Sequence, residues 1–557
     1  MNNLFGHWIS AFRKNSLWLV LSMLLPTLGF GNSAIAAERI YASYSAFERS
    51  ISVNALEKYA RNGVLDDDLA LYRQYLKKEQ LQQLRHALLS PIKVNPVAVS
   101  QFLYTPQGEF LLQRLGEVIK TESRQPKVGL HALRGALILA STEPGGLTLL
   151  NLLRKYPSSG IYVDLSRILK MAAELEKLVN ETNRAVTTVS QKSNVEAATI
   201  RLPLNSQLLD LRRKGRFISQ KQTLKFFDSL RKRFLLTDVY LPNVQSQVPV
   251  IIISHGLGSD SSNFEYLGNH LASHGFAVVV PNHPGSDTKQ LRSLFNGSTS
   301  EVAQADEFKN RPLDVKYILD QLQELSRTDA RFKGRLNLQK VGVFGQSFGG
   351  YTALALAGAK INFGQLQKDC QPKALKDTWN LSLLLQCHAL ELRSNNPKEY
   401  QFRDERIKAI IAVNPMTSSI FGEAGLSQIQ TPVMIVASSD DTIAPALYEQ
   451  LLPFSWIKNS QKYLAVLRRA THFSIIGNGK GSAQQVSLPS EVVGYNPSLA
   501  QRYMNVLSLP FFETYVTRTP GYATYLNAAY AKVISGRSGG LSLVQSLTRT
   551  ELAQAKR

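Results

Sequence analysis

Up to about residue 195, apolar residues recur every three or four positions, whereas beyond residue 217 they gather into short unbroken runs. The early pattern, Leu81, Leu84 and Leu88, then Phe110, Leu111, Leu115, Val118 and Ile119, then Leu165, Ile168, Leu169, Ala172 and Leu175, is that of helix faces. Pro91-Ile92, Pro96 and Pro144-Gly145-Gly146 break it into short pieces. It predicts an all-α domain over 37–195. The polar stretch from Gln191 to Gly215 follows, and a linker is placed at 196–216.

Thereafter the period changes. Thr223 to Phe227 and Arg233 to Leu241 read as an antiparallel pair. Val248 to Ser254, Ala277 to Pro281, Val341 to Phe344, Ala409 to Val413, Val433 to Ala437 and Tyr463 to Leu467 are apolar on both faces. Such runs suit strands covered on both sides. Helical patterns alternate with them at Asn263 to His274, Pro312 to Leu325, Tyr351 to Lys360 and Leu499 to Val516. The prediction is a doubly wound, mostly parallel α/β domain over 217–516. Residues 361–404 interrupt the alternation and are expected to form a lid-like insertion over the strand C-termini. A helical tail is expected at 517–557.

Two features of the ends and composition add a compartment. Arg13 and Lys14 precede the apolar run Leu17 to Phe30 and the small-residue site Ala34-Ile35-Ala36, which predicts a signal peptide over 1–36 and export to the periplasm or beyond. An uncleaved anchor is the alternative, disfavoured by the short run and by Pro26. No later stretch is apolar enough to span a bilayer, so a soluble mature chain is expected. The only cysteines, Cys370 and Cys387, are close in sequence, and export would pair them in a disulfide; two buried thiols are the alternative.

The 557 residues carry a net charge of +22, which favours anionic partners. Much of it falls between Arg201 and Arg233, where Arg212, Arg213, Lys214, Arg216, Lys221, Lys225, Arg231 and Lys232 meet only Asp210 and Asp228. A solvated linker and strand surface accounts for it; peripheral association with an anionic membrane surface is the further option. Nucleic acid is not expected, for no binding motif accompanies the charge. Oligomeric state is left open.

The chemistry concentrates at Val341-Gly342-Val343-Phe344-Gly345-Gln346-Ser347-Phe348-Gly349-Gly350, a G-x-S-x-G between a buried strand and a helix. It resembles the nucleophile turn of α/β-hydrolases, in which glycines let the backbone pass closely and the serine stands on a strained corner. Gly536-Arg537-Ser538-Gly539-Gly540 also matches, but no strand precedes it and no His or Asp follows. The resemblance implies partners in the order Ser, acid, His. Two histidines follow Ser347; His388 lies in the insertion, whereas His472 stands just past a strand and is the expected base. Asp440 and Asp441 follow the strand Val433 to Ala437 and are the candidates for the acid. The oxyanion donors implied are the N–H groups of Phe348 and of Leu257, in His255-Gly256-Leu257-Gly258, although an H-G pair also serves as a plain tight turn.

The remaining histidines bring in no metal. His270 and His274, four apart on a helix, lack the companion carboxylate of a zinc motif, and packing is expected for them. His283 is placed on the pocket rim. His86 and His131 are isolated. No cofactor is expected.

His255-Gly256-Leu257-Gly258, Leu271-Ala272-Ser273-His274-Gly275-Phe276 and Gly345-Gln346-Ser347-Phe348-Gly349-Gly350 together resemble platelet-activating-factor acetylhydrolases, α/β-hydrolases that release short acyl chains from phospholipids. The likeness covers about the first half of the catalytic domain. Gln346 departs from it, since histidine is common there. Asp441-Thr442-Ile443-Ala444-Pro445 resembles instead the acid loop of bacterial cutinases and polyester hydrolases, which implies Asp441 rather than Asp440. The helical front domain resembles one found ahead of exported bacterial hydrolases of unknown function. The expectation is an exported serine esterase or lipase acting on an ester or lipid through Ser347, Asp441 and His472. The rivals are a prolyl-oligopeptidase-like serine peptidase and a non-catalytic envelope binding protein that uses its helical domain.

Overall fold

The computed structural model describes residues 37–73, 77–92, 94–203, 209–376, 378–392, 400–477, 493–494, 496–536 and 539–556. The expected signal peptide and Ser538 of the second G-x-S-x-G lie outside them. The chain divides into two compact units. One runs to Lys177 and takes in Leu291–Val302; the other comprises Leu178–Gln290 and Ala303–Arg557.

The first unit is mostly helical, as the apolar spacing predicts. Its helices include Val53–Asn62, Lys78–Leu89, Pro96–Leu103, Pro106–Gly116 and Pro126–Ser141. Proline opens the last three, where its fixed φ suits the first turn and no N–H is missed. Leu81 and Leu88 pack with Leu56, Tyr59 and Leu150. The unit is not all-α, however. Strands β1 (Arg39–Tyr44), β2 (Phe47–Ser52), β3 (Ile119–Lys120) and β4 (Gly160–Asp164) form a sheet in the order β2-β1-β4-β3. They escape a pattern search because they are short, and most of their residues are half-buried or exposed, leaving no clean alternation. Nor does a linker begin at 196: the helix Leu165–Thr199 runs through that position, and the division falls inside it, after Lys177.

The second unit is built on nine strands. They are β5 (Ser219–Asp228), β6 (Arg233–Pro242), β7 (Val248–Ser254), β8 (Ala277–Pro281), β9 (Leu336–Gln346), β10 (Ile407–Val413), β11 (Val433–Ser438), β12 (Lys462–Leu467) and β13 (Leu541–Val544). Their order is β13-β12-β11-β10-β9-β7-β8-β6-β5. From β8 to β12 all neighbours are parallel; β5, β6 and β13 are antiparallel. Both faces are covered. Val250 and Ile252 join one core with Val315, Ile318 and Leu354, while Ile251 and Ile253 join another with Leu267, Leu271 and Leu507. The inner strands β7, β8, β10, β11 and β12 are thus lined by apolar neighbours on both sides, which explains their nearly unbroken runs, whereas β5 at the sheet edge alternates exposed and buried residues. The expected purely helical tail is corrected by β13, whose four residues extend the sheet beside β12. Four residues after a Gly pair are too few for a pattern to register.

The sheet order reverses between β7 and its neighbours β8 and β9. Crevices at such switch points, beyond the strand C-termini, are where α/β sheets bind ligands. The loops after β7 and β9 meet there.

Candidate active site

Ser347 occupies the corner between β9 and the helix Phe348–Leu356, at φ 55° and ψ −115°. A non-glycine residue adopts this conformation only when its surroundings enforce it. They do so through packing. A Cβ on Gly345 would lie 1.9 Å from the Gly349 carbonyl oxygen, and one on Gly349 would lie 1.9 Å from that of Ser254. No side chain fits at either glycine. The Ser347 N–H is tied to the Val413 carbonyl at 2.8 Å, which fixes the corner to β10.

The three residues expected from sequence come together. His472 Nε2 lies 2.8 Å from Ser347 Oγ, and His472 Nδ1 lies 2.7 Å from Asp441 Oδ2. With Nδ1–H donating to the carboxylate, Nε2 accepts the serine hydroxyl proton. The other oxygen of Asp441 accepts the N–H groups of Ile443 and Ala444, so the carboxylate is fixed by its own loop. Between the two neighbours the structure separates roles: Asp441 is buried against the imidazole, whereas Asp440 is exposed and accepts from Ser439 Oγ.

Phe348 opens its helix, so its N–H belongs to the first-turn groups that a helix leaves without an internal acceptor. Leu257 sits in the loop after β7, which packs directly on the serine corner through the Ser254–Gly349 approach. That loop is shaped from behind. Arg311, fully buried, donates to the carbonyls of His255 at 2.6 Å and Gly256 at 3.4 Å, and to Ser286 Oγ at 2.8 Å. Its guanidinium also lies 4.4 Å from the centre of the Phe348 ring. Burial pushes the Arg311 pKa down to about 10, with Glu307, Asp314 and Asp287 opposing the shift.

His283 is not on the pocket rim. It is fully buried, its Nδ1 3.0 Å from Asp314 Oδ2 and its Nε2 3.0 Å from Ser254 Oγ, while its backbone N–H donates to His255 Nε2. Burial, then the charge of Arg311, holds both His255 and His283 well below the usual imidazole range, so both are neutral. A His in a Pro-Asn-His-Pro-Gly turn looks exposed in sequence; only the tertiary packing of the helix Glu307–Thr328 buries it.

Two amides missed by sequence reasoning hold the base in place. Gln346 Nε2 and Asn414 Nδ2 both donate to the His472 carbonyl, at 3.1 and 3.3 Å. Asn414, at φ 45°, also bonds Ser438 through its N–H and hydroxyl, linking the ends of β10, β11 and the histidine loop. The only sequence signal is an Asn-Pro step at the end of a buried strand.

Cys370 and Cys387 are joined in a disulfide inside 361–404. This insertion is fastened near the acid loop: Ser382 N–H donates to the Ile443 carbonyl, and the buried Glu449 accepts from Asn380, Gln386, Thr417 and Ser418. His388 pairs with Glu391 there. The rings of His270 and His274 lie 4.9 Å apart, tilted by 59°, and among the described residues no group of three or more His, Cys, Asp or Glu could hold a metal. No helix of the described residues is long and apolar enough to cross a membrane.

Two family models match the chain. One, described as an alpha/beta hydrolase of unknown function (DUF1400), covers residues 36–164; the other, described as alpha/beta hydrolase fold, covers residues 249–362 and so includes the loop after β7 and the serine corner. With a nine-stranded, mostly parallel sheet and a serine at the strained turn after its fifth strand, this chain belongs to the α/β-hydrolase superfamily.

Proposed function

We propose that the protein is an exported serine esterase that hydrolyses carboxylic esters, acylated lipids among them, through an acyl-enzyme on Ser347. The observation that carries this reading is the unbroken relay from Ser347 Oγ through His472 to Asp441. Ser347 Oγ attacks the acyl carbon as His472 Nε2 takes its proton, and Asp441 stabilises the imidazolium. The N–H groups of Phe348 and Leu257 receive the developing oxyanion, helped by the positive end of the helix Phe348–Leu356. Collapse releases the alcohol, which takes the proton from His472. Water, deprotonated by the same imidazole, then frees the carboxylic acid and regenerates Ser347. The route needs no cofactor.

Export is supported by the leader-like residues 1–36 and by the Cys370–Cys387 disulfide, a bond that persists in oxidising compartments. The test is a matched panel of p-nitrophenyl esters and p-nitroanilides on the parent and on Ser347→Ala. Ester turnover by the parent and its loss in a variant with unchanged melting supports the proposal. Equal ester turnover in both proteins overturns it, and preference for the anilides assigns a peptidase instead.

A further inference from the structure

The antiparallel hairpin of β5 and β6 ends on the catalytic side of the sheet. Thr237 of β6 pairs with Pro281, the last residue of β8, so Arg233 to Leu236 and the turn before them overhang the strand C-termini from which Ser347 projects. Three strand spacings separate β6 from β9, about 14 Å.

The outward face of this hairpin end is apolar. Phe227 pairs with Phe234, their rings 4.5 Å apart, and Lys225 pairs with Leu236. Leu230, in the connecting turn, is 95% exposed, with Phe234 at 55%, Phe227 at 47% and Leu236 at 46%. Such residues scattered singly would need no explanation; here four share one end of one hairpin.

The turn is also held rigidly. Asp228 accepts the N–H groups of Leu230 and Arg231. Arg231 bonds Asp228 and Asp314 at 2.7 Å each, Arg233 bonds Glu307 at 2.7 Å and Asp314 at 2.9 Å, and Tyr317 OH donates to the Phe227 carbonyl. These ions neutralise one another beneath the turn. Within the basic stretch Arg212 and Arg213 pair with Asp210 and Lys221 pairs with Asp238, Lys214 and Arg216 are exposed ahead of β5, and Lys225 and Lys232 are outward cations at the hairpin end. Lys225 lies over the Phe234 ring at 4.6 Å. An apolar tip flanked by lysines is complementary to an anionic lipid surface, which takes the apolar groups below the headgroups and the ammonium groups among them.

We propose that the end of the β5–β6 hairpin is a docking surface for anionic membranes, with Leu230, Phe227 and Phe234 entering the leaflet and Lys225 and Lys232 binding its headgroups. Docking there brings the catalytic edge of the sheet toward lipid. The surface does not depend on chemistry at Ser347, so binding is measured in Ser347→Ala protein, where lipid is not consumed and failure of the esterase reading leaves the experiment intact.

Flotation with vesicles of phosphatidylcholine, with and without a minor fraction of phosphatidylglycerol, provides the readout. Binding only to the anionic vesicles is expected. The pair Leu230→Asp with Phe234→Asp, and separately Lys225→Glu with Lys232→Glu, should each weaken it at least about twentyfold, since each lysine near such a surface is worth roughly fivefold. Melting temperatures should stay at the parent value, because these side chains are exposed. No binding by the parent, equal binding to neutral vesicles, or binding retained by both double variants overturns the proposal. So does a parent dimer that Leu230→Asp converts to a monomer, which would make the surface a contact between copies. All variants share one N-terminus, so a leader that binds lipid by itself registers as retained binding.

Discussion

Among the described residues of the second unit there are two Ser–His–Asp chains. In one, Ser347, His472 and Asp441 are linked at 2.8 and 2.7 Å; in the other, Ser254, His283 and Asp314 are linked at 3.0 Å twice. Hydrogen-bond geometry alone hardly tells them apart. Their settings do. Ser347 stands at a strained corner next to a helix N-terminus, with a trace of its surface open to solvent. Ser254, His283 and Asp314 are sealed completely, and Asp314 is already engaged by Arg231 and Arg233. A relay becomes a catalyst when its serine can reach a substrate and its histidine can become charged. The second chain meets neither condition, and its role is to carry the loop on which Leu257 sits.

The sharpest way to break this contrast is to delete each serine. Ser347→Ala or His472→Ala should lower ester kcat/KM at least about 10⁴-fold, because the members of such a relay act as a unit. Ser254→Ala should change it less than about threefold. A large loss at Ser254 in p-nitrophenyl ester assays, with melting unchanged, would erase the distinction.

The two carboxylates should fail differently. Asp441→Asn leaves the imidazole with the wrong tautomer and should cost about 10⁴ in kcat with modest change in melting. Asp314→Asn removes a fully buried carboxylate shared by the partly buried Arg231 and Arg233, which keep Asp228 and Glu307, and should destabilise by about 2–4 kcal/mol, read by urea titration. If Asp314→Asn kept parent stability, the second chain would not be the scaffold described here.

Arg311 joins the two regions, since it grips the carbonyls of His255 and Gly256 and stacks on Phe348. Arg311→Met should lower kcat by about ten- to a hundredfold while KM changes far less, the effect expected when oxyanion donors shift by a fraction of an ångström. A rise in KM at constant kcat would show instead that Arg311 shapes ground-state binding.

One region is legible in the sequence and the other is not, for a physical reason. The first chain is announced by local constraints: glycines that a corner requires, a histidine and an aspartate just past buried strands. Ala277–Pro281 was legible to the residue because both its faces are covered. The second chain has no local signature. His283 looks like a loop residue, and Arg311 looks like one charge among many on a helix. That helix begins at Glu307, five residues before the expected Pro312, because Tyr351 OH donates to the Phe308 carbonyl that the proline cannot serve. The strands β1 to β4 are hidden for another reason: they are short and mostly half-buried or exposed, so no alternation marks them, and β4 joins β1 and β3 only across long stretches of chain.

The smallest expected effect concerns protons that the buried region refuses. Burial holds His255 and His283 well below the usual imidazole range and takes His270 down to about 3. The unfolded chain binds protons at these positions below about pH 6.5 and the folded chain does not. Stability is therefore whole above that pH and falls as the pH drops, by up to about 1.4 kcal/mol per unit for each histidine. His270 isolates one such contribution, since its Nε2 has no partner among the described residues and its loss breaks no hydrogen bond there. His270→Leu should melt close to the parent at pH 7.5 and be more stable than it by about 2 kcal/mol at pH 5. Parallel stability–pH curves for the two proteins would mean that His270 binds its proton as readily in the folded chain as in the unfolded one, and that burial does not exclude charge there.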